Sequence, residues 1–282
     1  MTSGHFQLNG GDGNDSNSSS STATTNTLTT AVTRENEKIR NFVFTKSSNS
    51  IDTISSPLPL KEPVASTSAS AARQESLEKL EIQIPELLQS GYSFYTWPCA
   101  PVLAWFLWER REALAGKRVL ELGAGTALPG ILAAKCGAQV ILSDNCILPK
   151  SLAHIHRSCE HNNLVPGRDI RVIGLSWGLL LNSVFSLGPL DIIIAADCFY
   201  DPSIFEDIIV TISFLLDRNP SAKFIFTYQE RSADWCIEAL LKKWKLRAIL
   251  INSEDIGKAS GIEIADIIGN HTIHLLEITK ES

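Results

Sequence analysis

The sequence predicts an α/β protein built on a mostly parallel sheet, with an antiparallel edge and an N-terminal β-hairpin. Three observations carry this. Short β-branched apolar runs alternate with helical ones over residues 118–244, and such alternation implies parallel strands joined by right-handed crossovers. The last two apolar runs, 246–251 and 271–278, are joined by a polar loop rather than a helix, so an antiparallel pair at one edge is expected. Ahead of the alternation, Leu80, Ile82 and Ile84 are interleaved with Glu81 and Gln83, the period-two mark of a half-buried strand.

Taken in order, residues 1–36 are rich in Gly, Asn, Ser and Thr and bury too little apolar surface to offset the entropy of ordering them, so a disordered tail is expected. Residues 37–90 carry two strands, 38–46 and 80–84, which should pair around a Ser/Pro-rich disordered insertion at about 47–72. Residues 91–282 form the α/β domain. Its aromatic entry, Gly91-Tyr-Ser-Phe-Tyr-Thr-Trp-Pro, leads into a helix opening at Pro98 or Pro101, where a missing N–H does no harm. Val102, Leu103, Phe106 and Leu107 give that helix its apolar face, and Trp97 either packs in the core or lies over the turn that follows. A buried strand at 118–122 is bounded by Gly116 and Gly123, and a helix at 128–134 stops at Gly137. Next come an apolar run at 140–142 closed by Asp144, a helix at 148–162 and a strand at 170–175 followed by Trp177-Gly178. A strand at 190–196 ends in Asp197-Cys-Phe-Tyr-Asp-Pro, a helix at 204–216 is closed by Asn219-Pro220, and a strand at 223–228 precedes a helix at 233–244.

Residues 119–130, VLELGAGTALPG, are strand, glycine turn and helix, a layout that lets a nucleotide-like ligand approach backbone without meeting a Cβ. A dinucleotide fingerprint wants a small residue at the third glycine position, and this chain has Leu128 there. Glu121, two residues before Gly123, would repel a pyrophosphate and suit a cationic ligand. S-adenosylmethionine, with an ammonium, a sulfonium and no phosphate, fits, and Asp144 would receive its ribose hydroxyls. Ligands in open α/β sheets bind beyond the carboxyl ends of the strands, where this chain carries Glu121 to Gly125, Asp144, Trp177, Asp197 to Asp201 and Tyr228-Gln-Glu-Arg. Methyl transfer needs an acceptor lone pair aligned with the S–CH3 bond and water kept out. Asp197 and Glu230 are the acids expected to hold an acceptor cation, and Tyr200 and Tyr228 the aromatics expected to wall its channel. Asp197 also reads as a helix N-cap, a part for which Asp201 is better placed.

No nucleophile elbow, no Gly-Lys-Ser/Thr loop and no Cys-His motif is present. His154, His156 and His161 share a predicted helix whose spacing suits a solvated face better than a metal, so no metal is expected. The net charge of −6 leaves no footprint for nucleic acid and accommodates a basic protein partner. The six cysteines contain no C-x-x-C pair and read as reduced core residues. The polar start lacks the regions of a signal peptide, and the longest apolar run, 97–108, is too short to cross a bilayer. A protein of nucleus and cytoplasm, with no membrane contact, is expected.

Together, Trp97-Pro98, Glu121 to Gly130, Asp144, Trp177-Gly178, Asp197 to Tyr200 and Tyr228-Gln-Glu-Arg resemble the seven-β-strand methyltransferases of the methyltransferase-like group that modifies protein side chains. The resemblance covers residues 38–278 apart from the Ser/Pro insertion. It implies a Rossmann-like seven-stranded methyltransferase fold, with S-adenosylmethionine held by Trp97, Glu121, Gly123, Gly125, Asp144 and Trp177, and it reads Asp197 and Tyr200 as the group's D-x-x-Y signature. It further implies a chromatin-regulating protein methyltransferase acting on a basic side chain, with histone arginine, on histone H3, as the acceptor associated with this subgroup. Lysine on a non-histone protein is the alternative. The chain departs from the main arginine methyltransferases in lacking their paired-glutamate loop, since Glu230 stands alone. Two other readings remain open: a catalytically weak cofactor-binding protein acting through contacts beside a chaperone or nuclear partner, and a small-molecule methyltransferase on the same fold.

Overall fold

The computed structural model describes residues 37–46, 78–87, 91–232, 235, 237–254 and 256–281. The tail expected at 1–36 and the insertion expected at 47–72 lie outside them. Strands β1 (Glu37–Thr45) and β2 (Lys79–Leu87) form an antiparallel hairpin in which Phe42 faces Ile82 and Phe44 faces Leu80. Phe44, Ile82 and Ile84 are fully buried in the main core, a contribution of about 1.5–3 kcal/mol each. The hairpin is also pinned by Asn162, whose side-chain oxygen accepts from Gln83 N (3.0 Å) and whose amide donates to Gln83 O and Ser158 O (2.7 Å each).

Helix α1 (Cys99–Glu109) follows, then β3 (Arg118–Leu122), α2 (Leu128–Lys135), β4 (Gln139–Asp144), α3 (Pro149–His161) and β5 (Arg171–Gly174). A four-residue helix α4 (Asn182–Phe185) leads to β6 (Ile192–Ala196), α5 (Phe205–Arg218), β7 (Lys223–Gln229), α6 (Glu238–Lys243), β8 (Leu246–Ile251), α7 (Ile264–Ile268) and β9 (Ile273–Lys280). The seven-stranded sheet has the order β5-β4-β3-β6-β7-β9-β8. Strands β3 to β7 are parallel, and β9 is antiparallel to both β7 and β8. The hairpin, α1, α2 and α3 cover one face, while α5 and α6 cover the other.

Several expectations change in detail. Helix α1 has no single apolar face: every residue from Cys99 to Trp108 is buried, because hairpin, α2, α7 and sheet surround it. The loop between the last two strands contains α7. The helix expected at 233–244 starts only at Glu238, with residues 233, 234 and 236 outside the described set. His154 is not on a solvated face. It is buried edge-on to Phe94 at 5.0 Å, and burial lowers its ring to about 4. Among the cysteines, Cys99, Cys159 and Cys198 are core residues, Cys136 is half-buried, Cys146 is exposed and Cys236 lies outside the described residues. No described helix is long and apolar enough to cross a membrane.

Candidate functional site

At the carboxyl ends of β3, β4 and β6, the strand ends and the aromatic loop before α1 enclose a cavity of about 590 Å³, within the roughly 300–1,000 Å³ typical of small-molecule sites. Trp97, Gly123, Gly125, Asp144, Trp177, Asp197 and Tyr200 all line it. Glu121, Tyr228 and Glu230 do not line it.

The glycine turn is built as its residues dictate. Gly123 and Gly125 have φ of +60° and +52°, open to glycine without cost. A Cβ on Gly123 would lie 2.8 Å from Trp177 Cζ2 and 2.9 Å from Cys198 Sγ, so the Trp177 indole roofs this backbone directly. Gly178, at φ +73°, turns the chain there and donates its N–H to Thr211 Oγ1 at 2.8 Å. Asp144 ends β4 with Oδ2 accepting from Gly125 N (2.9 Å) and Oδ1 from Asn145 N (2.7 Å). Burial raises its carboxyl, and those two N–H donors pull the other way. A carboxylate can accept about four hydrogen bonds, so capacity remains for a diol in the cavity.

Glu121 has another place. Alternation along β3 sends Leu120 and Leu122 to the α5 side and Glu121 to the α2 side, where it is 1 % exposed and accepts from Gly130 N at 3.0 Å. Burial pushes its carboxyl to about 8, so at neutral pH it is mostly protonated and brings little charge to a ligand. Gly130 does the work expected of a third glycine, two residues later than in a dinucleotide fingerprint: a Cβ there would fall on Glu121 Oε2 and Leu142 Cδ2.

The aromatic wall comes from the loop before α1. Trp97 Nε1 donates to Tyr92 O (3.0 Å), and Tyr95 stands edge-on to Trp97 at 5.3 Å. From behind, Thr96 N donates to Glu86 Oε1 (3.1 Å), Thr96 Oγ1 meets Thr126 Oγ1 (3.1 Å), and Arg40 lies 3.6 Å from Glu86. The hairpin thus fixes a wall of the cavity through Glu86.

The opposite side is acidic. Asp197 follows β6 at φ +59°, a left-handed conformation that Asp tolerates better than most residues. Its N–H donates to Thr227 O at 2.7 Å. Its carboxylate is gripped by Arg231, Nη1 to Oδ1 at 2.9 Å and Nη2 to Oδ2 at 2.7 Å, with side chains 23 % and 6 % exposed for Arg231 and Asp197. Asp201, not Asp197, caps the turn before α5, accepting from Ser203 N at 2.9 Å. Tyr200 is half exposed at the mouth, its phenol raised by burial and by surrounding negative charge.

Tyr228 and Glu230 depart from the expected acceptor channel because β7 alternates. Tyr228 shares the face of Phe224 and Phe226, packing on Phe226 and, at 5.0 Å, on the His274 ring. Glu230 meets His274 Nε2 at 2.9 Å. Both edge, with Phe199, a neighbouring small crevice that meets the cavity at Arg231 and Trp235. Arg231 is the cavity residue that reading the sequence missed. One further step of the same alternation returns it to the cavity side.

The cavity wall therefore holds Asp144, Asp197 and Asp201 against the single guanidinium of Arg231. That balance disfavours a phosphate and suits a cationic nucleoside, so these residues fit S-adenosylmethionine. Among the described residues no group of three acids, histidines or cysteines could hold a metal.

Comparison with known proteins agrees with this chemistry. A family model described as lysine methyltransferase matches residues 76–237. The chain is 48% identical to the histone-arginine methyltransferase METTL23 of Xenopus laevis, over 72% of this chain and 86% of that one. It is 49% identical to the Homo sapiens protein of the same name, over 66% and 96%. It is also 36% identical to the protein N-lysine methyltransferase METTL21A of Mus musculus, over 46% and 59%.

Proposed function

Because the chain belongs to the lysine methyltransferase family, whose members are S-adenosylmethionine-dependent enzymes, we propose that it methylates arginine on a histone, histone H3 in the first instance. The observation that carries the choice of arginine is the Asp197 carboxylate in the cavity wall, which already grips a guanidinium with both oxygens. Planar two-point recognition of this kind suits guanidinium better than ammonium. The names of the relatives that are nearly half identical over the aligned residues support the same acceptor.

When bound, S-adenosylmethionine supplies a methyl group on a sulfonium, a good leaving group. The protein supplies position and dryness. Asp144 would accept hydrogen bonds from the ribose hydroxyls, and the Gly123 and Gly125 backbone would let the nucleoside lie close. Trp97 and Tyr95 wall one side, and Trp177 covers the glycine turn. Asp201 and Tyr200 face the acceptor, the acid drawing its cation to the mouth and the phenol bordering its path, while Asp197 is engaged by Arg231. A guanidinium is a poor nucleophile because its lone pairs are delocalised, so fixing its plane matters more than for lysine. A histone acceptor favours a protein of nucleus and cytoplasm, the compartments in which histones are used and made, and a chaperone contact would belong to the cytoplasmic stage.

Lysine is the second reading, favoured by the family model and by the lysine-modifying relatives. Incubation of the purified chain with labelled cofactor and core histones, followed by mass spectrometry of the labelled residue, tests both. Label on histone arginine that disappears with Asp144→Ala supports the proposal. Label on lysine alone, or none on any histone, would overturn it.

A further inference from the structure

Arg231 is built like an acceptor already seated in the site. Its guanidinium lines the same cavity as Gly123, Asp144 and Trp177, and its plane is fixed by two hydrogen bonds to Asp197. Nη1 also donates to Gln229 O at 3.3 Å, whereas Nη2 donates only to Asp197 Oδ2 among the described residues. Among the described residues, one Nη2 hydrogen is committed to Asp197 and the other has no partner. Three of the conditions for methyl transfer to a guanidinium are then met within one chain: a shared cavity with the donor's binding residues, a fixed plane, and a carboxylate in contact with the reacting nitrogen.

We propose that Arg231 is a self-methylation site, modified at Nη2 by the chain's own bound cofactor. The inference rests on the reading of the cavity as an S-adenosylmethionine site. In the reaction a lone pair of Nη2 forms the N–CH3 bond as the S–CH3 bond breaks. The bonding pair stays on sulfur, and one Nη2 proton passes to Asp197 Oδ2 and then to water. The products are S-adenosylhomocysteine, a methylguanidinium that keeps its single positive charge, and one proton. Because the acceptor needs no encounter, even a weak nucleophile gains from the high effective concentration of an intramolecular reaction.

The decisive readout is the covalent state of Arg231. The full chain, as purified from expressing cells and again after incubation with S-adenosylmethionine, is peptide-mapped by mass spectrometry. In parallel, cofactor binding is measured by calorimetry and histone labelling by scintillation. The expected result is a methyl group on the Arg231 guanidinium of the wild-type chain, greatly reduced in Asp144→Ala, with a fractional rate that does not change when the protein is diluted. A chain that binds cofactor and methylates histone while Arg231 stays unmodified overturns self-methylation and leaves the proposed function standing. Failure to bind cofactor overturns both. A rate that falls in proportion to dilution overturns the intramolecular route.

Discussion

Glu121→Gln isolates a buried charge by removing its titration while keeping its shape and its acceptor for Gly130 N. The wild-type carboxyl is raised by burial from 4.5 to about 8. The folded state therefore holds this proton over an interval in which the unfolded chain has released it, so stability is lost as pH rises from about 4.5 through about 8. Between pH 5 and pH 7 the loss from this one group is about 2–3 kcal/mol, roughly half of the loss over the whole interval. The glutamine variant does not titrate there and loses none of it. Asp144, raised in the same direction, and His154, lowered to about 4, titrate in both proteins and drop out of the difference to first order. Urea unfolding of both proteins at pH 5, 6, 7 and 8 checks this. The stability gap should move in favour of the variant by about 2–3 kcal/mol from pH 5 to pH 7, or several degrees in Tm. Parallel pH profiles would refute the argument, since they would mean Glu121 is already ionised in the folded protein.

Asp144→Ala removes a carboxylate that can receive both ribose hydroxyls, so calorimetry should show S-adenosylmethionine affinity falling by about 1.5–3 kcal/mol, roughly ten- to a hundredfold. Gly123→Ala meets both a left-handed backbone and the Trp177 ring. It should cost about 1–3 kcal/mol of stability from crowding, read by urea unfolding, and shift tryptophan emission as the indole moves. Asn162→Ala strands the backbone groups of Gln83 at a cost of about 1–3 kcal/mol. Hydrogen exchange should quicken across β1 and β2 well before β3 to β7.

Much of this architecture was legible because each signal was local. Alternating apolar runs marked β3, β4, β6 and β7, and Leu80, Ile82 and Ile84 marked β2, since a strand's period is written in adjacent residues. The glycine turn and Asp144 were legible for the same reason, being consecutive or closing a single strand. The roles of Glu121, Tyr228 and Glu230 were misjudged because the position after a strand says where the backbone ends and not which face a side chain takes. Counting in twos from Phe224 would have put Tyr228 with the core and returned Arg231 to the cavity. The partnership of Glu121 with Gly130, and of Glu86 with Thr96, could not be read in advance. Both depend on how α2 and the hairpin pack against the sheet, contacts that link residues with no shared periodicity. Helix α7 escaped notice because five residues are too few to show a helical repeat.

The order of strands also sets an order of events during synthesis. β9 lies between β7 and β8, yet it follows both in the chain. While a ribosome is still making the residues between them, β8 has no neighbour to bond to, and its outward Ile249 and Leu250 are joined by the unpaired rim of β7. For the few seconds that translation of this stretch takes, the nascent protein carries two open edges and a finished glycine turn. The enzyme's most aggregation-prone moment therefore comes late, after its cofactor-binding half has formed, and a stall or truncation just before Ile273 should yield insoluble protein.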